Sequence, residues 1–142
     1  MKGMEIREMG IEDYDFVIDL WKGTEGIGLS EADSRDNIAT FLQRNPGFSL
    51  VAQKDSEIIG AVLCGHDGRR GYFHHLAVRK DHRLKGLGKE LVQSCLKRLN
   101  SARIDKCHIF VFRGNMLGQE FWIANGWKTR HDLHIMSKLT LG

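Results

Sequence analysis

The stretch Leu76-Ala77-Val78-Arg79-Lys80-Asp81-His82-Arg83-Leu84-Lys85-Gly86-Leu87-Gly88-Lys89-Glu90-Leu91-Val92 constrains this chain more than any other. It reads as an apolar strand, a basic turn with two glycines, and an amphipathic helix. Gly86 and Gly88 lack Cβ atoms, so the backbone there can close on an anion. The following helix turns its N-terminus, with free N–H groups and a partial positive charge, toward the same point. Arg83, Lys85 and Lys89 add full charges. The unit is suited to a pyrophosphate.

Several phosphate-binding classes are excluded. No GxxxxGK[ST] occurs, so this is not a Walker loop. Gly86-Leu87-Gly88 continues as Lys89-Glu90-Leu91, without the third glycine of a dinucleotide fingerprint. A kinase glycine loop needs a longer chain and an HRD motif. At 142 residues the sequence suits one domain, 1–142, with a sizeable core. A net charge of +3 suits an anionic ligand without calling for nucleic acid. No apolar run approaches the ~20 residues of a membrane span, and no signal-peptide pattern opens the chain. Cys64, Cys95 and Cys107 are odd in number and lack CxxC spacing, which reads as reduced thiols in a cytoplasmic protein. His74, His75, His131 and His134 lack HExxH or a closing cysteine pattern, so no metal is expected.

Periodicity predicts alternating strands and helices. Strands are expected at 4–8, 48–53, 58–64, 72–78, 104–112 and 133–139. Helices are expected at 11–21, 30–44 with Ser30 as N-cap, 87–99 and 115–125. Tight early turns and helical crossovers imply an α/β (α+β) sandwich, with a mixed, mostly antiparallel sheet flanked by helices.

The motif Arg83-Leu84-Lys85-Gly86-Leu87-Gly88 directly after Leu76-Ala77-Val78 resembles the acetyl-CoA signature of the GNAT superfamily of N-acetyltransferases. Asn115-Met116-Leu117-Gly118-Gln119-Glu120-Phe121-Trp122-Ile123-Ala124-Asn125-Gly126-Trp127 is similar to that family's N-x(5)-[FY]-Y-x(3)-G-[FY] helix. The order β-α-α-β-β-β-α-β-α-β over essentially the whole chain is similar to the family's as well. The resemblance implies transfer of acetyl from acetyl-CoA (coenzyme A) to a primary amine, by direct attack through a tetrahedral intermediate. Leu76, Ala77 and Val78 would pair with the pantetheine arm, and amides from Leu84 through Lys85, Gly86, Leu87 and Gly88 to Lys89 would hold the pyrophosphate. Arg83 adds a charge, and Asn115 and Trp122 come from the second motif. The cofactor would slot between strands 72–78 and 104–112, splayed apart.

Acyl transfer to an amine needs a base, an oxyanion donor and help for the leaving thiolate. The resemblance implies the Leu76 N–H as oxyanion donor. Strand alternation sets Tyr72, His74 and Leu76 on one face and His75 on the other. His74 or an ordered water is the base; an unperturbed imidazole near pH 6.5 suits the task. Many family members carry a tyrosine acid where Trp122 stands, and an indole cannot usefully transfer a proton. Tyr72, a water or a dipole then assists the thiolate. Acceptor contacts are expected from Trp21, Glu25, Asp67, Arg69 and Arg70. The acceptor is a small-molecule amine or a peptide N-terminus, with no nucleic acid or membrane partner and a possible homodimer. A non-catalytic acyl-CoA-binding module is the alternative. A nucleic-acid binder is a distant third, since its helix would offer only Lys85, Lys89, Lys97 and Arg98.

Overall fold

The computed structural model describes residues 3–141. In chain order these form β1 (Met4–Glu8), α1 (Tyr14–Lys22), α2 (Arg35–Arg44), β2 (Leu50–Lys54), β3 (Glu57–His66), β4 (Gly71–Val78), α3 (Leu87–Ser101), β5 (Cys107–Ile109) and α4 (Met116–Ala124). The sheet has the strands in sequence order. Its first three pairings are antiparallel, and the β4–β5 pairing is parallel because α3 carries the chain back before β5 begins. At the β2–β3 turn, Asp55 and Ser56 take φ of 51° and 67°. Two consecutive left-handed residues give the turn twist that a hairpin's strands require.

Alternation along the strands sorts side chains into two cores. Leu50, Ala52, Val62, Cys64 and Phe73 meet the Leu87, Leu91, Cys95 and Leu99 stripe of α3, with Trp122 of α4. Val51, Ala61, Leu63 and Ala77 meet Val17 and Trp21 of α1 and Ile38 of α2. The mixed, mostly antiparallel sheet flanked by helices is thus as expected.

Three expectations change. The helix expected at 30–44 is two elements. The Ser30 hydroxyl accepts from Ala32 N–H and opens only a short 3-10 turn, Glu31–Asp33. Ser34 is extended, and its hydroxyl accepts from Asn37 N–H to cap α2. Two capping serines four residues apart divide what periodicity alone joins. The strand expected at 104–112 forms only over Cys107–Ile109. The strand expected at 133–139 is not formed: residues 128–141 join no ladder. Alternating side chains specify a strand only where another strand accepts its backbone.

An ion pair ties β1 to the start of α1. Arg7 donates to both Asp13 carboxylate oxygens at 2.9 Å, and Gly10 N–H donates to one of them at 2.9 Å. Burial pushes the Asp13 carboxyl up, but these donors outweigh it and hold its pKa below the ordinary 3.8. A depressed carboxylate contributes stability that is present above the unfolded-state pKa and is lost as pH falls through the folded-state value. Asp13→Asn should therefore cost about 1–2 kcal/mol at neutral pH and lose less on acidification than the parent. Melting temperatures from neutral pH to pH ~3 check this, since the two curves should converge at the acid end.

Candidate active site

A single extra residue shapes β4. Ala61 pairs with Ala77 and Leu63 with His74, so β4 has one residue more than β3 between those pairs. His75, at φ 55°, absorbs it as a β-bulge. The bulge overturns the alternation expected from sequence. His74 and His75 both turn toward α1 and α2, while Phe73, Leu76 and Val78 pack toward α3 and α4. Tyr72 and His74 share a face as expected; Leu76 does not join them, and His75 does. The His75 ring lies 5.0 Å from that of Trp21, and its Nε2 lies 2.9 Å from Asp33 Oδ1. That contact ties the turn before α2 to the bulge.

Just before the bulge, β4 loses its outer neighbour. Pairing with β5 covers Gly71↔Cys107, Tyr72↔His108 and Phe73↔Ile109 and then stops, whereas pairing with β3 continues to Val78. The edge of β4 from His74 to Val78 therefore faces a gap. The connection between α1 and α2 spans this gap. A Cβ on Gly28 would lie 2.6 Å from the Phe112 ring, and one on Gly26 would strike the Asn115 amide. Only glycine permits so close a pass.

The loop beyond β4 fits an anion. Leu84 and Gly86 take φ of 64° and 83°, which turns successive amides the same way, and Gly86 is the N-cap of α3. Among the described residues, no hydrogen bond uses the backbone N–H of Leu84, Lys85, Gly86, Leu87, Gly88 or Lys89. Six free donors at the positive end of a fifteen-residue helix, beside an unpaired strand edge, match a phosphorylated, amide-containing cofactor such as coenzyme A. Arg79 anchors the loop to the β2–β3 turn through Glu57 at 2.8 Å and to Asp81 at 2.8 Å. Arg83 Nε donates to the Val78 carbonyl at 2.8 Å, which leaves its Nη groups for an anion. A cavity of about 770 Å³ borders this loop, lined by Leu20, Glu25, Arg79, Lys80, Arg83 and Leu117.

A smaller cavity of about 230 Å³ adjoins His74, with Phe41, Arg44, His66, Asp67 and Tyr72 among its lining. Burial, then proximity to His75, lowers the His74 pKa below 6.5, against the opposing pull of Asp33. The imidazole is thus neutral at pH 7, with a lone pair available. Arg70 and Arg69 N–H groups, each 2.8 Å from Asp67 Oδ1, hold that carboxyl below the usual range. Asp67 presents a full negative charge to the cavity.

Other sequence-selected residues fall elsewhere. Trp21 is completely buried and cannot line an acceptor site. Trp122 is also in the core, 4.8 Å from the Trp127 ring and 6.1 Å from Phe73. Arg70 pairs with Asp105 at 3.0 Å, and Arg69 lies on the exposed turn at the opposite end of β4 from the anion loop. Glu25 lines the larger cavity, not the one beside His74. Asn115 caps α4 through Oδ1, which accepts from Gly118 N–H at 2.9 Å. Its Nδ2 faces the Gly26 side of the gap. Cys64 is buried, and contact with Cys95 and burial push its thiol up, so it is no nucleophile. Phe41, Arg44 and His66 are not legible as site residues in the sequence, because the packing of α2 on the sheet brings the first two to the cavity and the pairing of β3 with β4 brings the third.

Comparisons with known proteins agree with this geometry. A model of the acetyltransferase (GNAT) family matches residues 14–127. An acetyltransferase of Pectobacterium atrosepticum is 33% identical over 112 residues, covering 79% of each chain. One from Sodalis glossinidius is 31% identical over 108 residues, covering 76% of this chain and 75% of its own. Among solved structures, the PaiA N-acetyltransferase of Thermoplasma acidophilum in complex with coenzyme A superposes with a TM-score of 0.78. It is 25% identical, with 89% of this chain and 91% of that chain covered.

Proposed function

Because this chain belongs to the GNAT family of acetyltransferases, we propose that its two cavities and the gap in β4 divide the work of an acetyl-CoA-dependent N-acetyltransferase. The observation that carries the reading is the end of β4–β5 pairing at Phe73↔Ile109, directly before a loop of free amides. Acetyl-CoA supplies a thioester, an activated acyl group. Leu76, Ala77 and Val78 offer it a strand edge, and the amides from Leu84 to Lys89 hold its pyrophosphate, with Arg83, Lys85 and Lys89 adding charge. Asn115 Nδ2 is the donor for the far end of the arm.

The acceptor is a primary amine that enters beside His74. A cavity of about 230 Å³ admits a small amine or the first residue of a peptide. Asp67 attracts the ammonium form, and Arg44 suits an acidic group on the same acceptor. His74 takes the proton that the amine must lose. The Leu76 N–H meets the carbonyl oxygen as negative charge builds there. Tyr72 O–H or a water protonates the leaving sulfur, since Trp122 has no proton to give.

His74→Gln keeps the shape of the site and removes the base. We expect kcat to fall by about 10²-fold with the amine KM little changed. Because the neutral imidazole is the active form and its pKa lies below 6.5, kcat/KM should be flat above pH 6.5 and fall with acid below it. The variant should lose that limb. A drop of less than ~5-fold, with the limb intact, would assign the proton to water. The primary test is release of free coenzyme A thiol against an amine panel, together with a rise in melting temperature on adding coenzyme A species. Absence of both would reject the reading.

A further inference from the structure

Among the described residues two carboxylates are buried, Asp13 and Asp33. Arg7 donates to both oxygens of Asp13. Asp33, among the same residues, forms an ion pair with neither arginine nor lysine; its partner is the His75 imidazole, at 2.9 Å. A carboxylate withdrawn from water without a fixed cation is costly, and such groups gather at sites of function. Asp33 is nonetheless firmly held. Its N–H donates to the Ser30 carbonyl at 2.9 Å, and its carbonyl accepts from Tyr14 O–H at 2.6 Å. Oδ2 accepts from Ser30 N–H at 3.1 Å, which leaves Oδ1 to His75. A carboxylate only accepts, so His75 Nε2 carries the hydrogen of that contact.

His75 is the bulge residue, and its left-handed φ of 55° is uncommon for any residue with a side chain. Asp33 on Nε2 and the Trp21 ring at 5.0 Å hold its imidazole in place. His74 precedes it directly, with the two ring centres 6.3 Å apart. The pinned bulge therefore fixes how His74 enters the acceptor cavity. Arg44 of α2, His66 of β3, Asp67 of the β3–β4 turn and Tyr72 of β4 line that cavity with it. Phe41 of α2 and Phe110 past β5 add uncharged rings, each 6.2 Å from His74. Within the bulge pair itself, His75 makes a charged His74 less favourable and Asp33 makes it more so.

We propose that Asp33 is a positioning residue for acetyl transfer: it pins His75, so setting the bulge that presents His74, and its buried negative charge offsets the imidazolium that forms when His74 takes the amine proton. The inference rests on the reading of His74 as the base. Burial opposes a cation at His74, and a charge in a water-poor site is felt more strongly than one in solvent. A guanidinium on Asp33 would cancel its field; the imidazole contact leaves that field available to the neighbouring ring. The competing explanation is that Asp33 only completes the 3-10 turn through Ser30 N–H. That role asks for shape and not for charge, and asparagine supplies the shape.

Asp33→Asn keeps an acceptor for Ser30 N–H and the size of the side chain while removing the charge. The acid limb of kcat/KM should move to lower pH, and kcat on the plateau should fall about fivefold with the amine KM little changed. His75→Asn, which suits a left-handed backbone, should move the limb the other way, to higher pH. Opposite shifts are the signature of charge, since a loosened bulge would move both variants alike. Nuclear magnetic resonance titration of the His74 imidazole, identified by its loss in His74→Gln, should give the same two directions without any turnover. An unmoved titration in Asp33→Asn, or a shift of both variants in one direction, would overturn the inference and leave His74 as the base. A parent with no acid limb, or a limb that survives His74→Gln, would remove the base and this role for Asp33 with it. Should Asp33→Asn not fold, the His75→Asn titration decides alone: an unmoved or lowered His74 overturns the proposal.

Discussion

Gly86→Asp should weaken coenzyme A binding by about 10²–10³-fold while leaving the protein folded. The side chain has room, since nothing lies within 4 Å of a Cβ built at Gly86. The left-handed φ of 83° costs a non-glycine residue about 1–2 kcal/mol, and aspartate tolerates that region better than most. The loss therefore comes from charge. A carboxylate about 4 Å from a phosphate oxygen, at an effective dielectric near 20, costs about 4 kcal/mol, and each ~1.4 kcal/mol is tenfold in affinity. Gly86→Asn carries nearly the same shape and backbone strain without the charge, so it should lose only a few-fold. Calorimetric titration of both variants with coenzyme A decides the matter. Equal losses would mean that shape, not charge, governs the loop. Unaltered binding by the aspartate variant would mean that the pyrophosphate sits elsewhere.

Phe73→Ala should produce the largest loss of stability of any substitution in β4. Phe73 is fully buried, and its ring packs 5.4 Å from Trp127 and 6.1 Å from Trp122. Removing a buried phenyl ring costs about 3–5 kcal/mol, counting the cavity left behind, which is a large share of a typical ~5–15 kcal/mol. The melting temperature should drop by roughly 10 °C or more. Activity should fall in parallel, because Phe73 lies between Tyr72 and His74 and fixes β4 just before the bulge. Phe73→Leu should retain most of both. Thermal unfolding followed by near- and far-ultraviolet dichroism measures the effect, and a shift of less than ~3 °C would show that the tryptophans close the space unaided.

The fold was legible wherever local chemistry and long-range pairing agreed. β1 appears at its expected residues, and the basic turn with its two glycines forms the free-amide loop before α3. Those features depend on neighbours in sequence: apolar period, glycine, a helix start. Features decided by distant partners were not legible. Nothing in Tyr72-Phe73-His74-His75-Leu76 announces that one residue will be squeezed out of register, since that follows from how β3 pairs with both ends of β4. Trp21, expected among the acceptor contacts, instead fills the core beneath His75. Arg44 and Phe41 belong to a helix whose approach to His74 depends on the whole sheet. The alternating pattern of residues 133–139 implies a strand, yet residues 128–141 join no ladder, because pattern alone does not supply a partner strand.

The bulge at His75 has a consequence for how β4 can vary. What orients the strand beyond it is the number of residues between Ala61 and Leu63 on one side and between His74 and Ala77 on the other. Asparagine or another residue at ease with left-handed backbone could replace His75 and leave Leu76 and Val78 where they are. Deleting His75 would leave one residue opposite one between those pairs, so Leu76, Ala77 and Val78 would keep their faces and only the bulge, with its imidazole against Asp33, would be lost. Inserting a residue there would instead turn Leu76 and Val78 toward α1 and Ala77 toward α3, so the stretch should accept a deletion far more readily than an insertion.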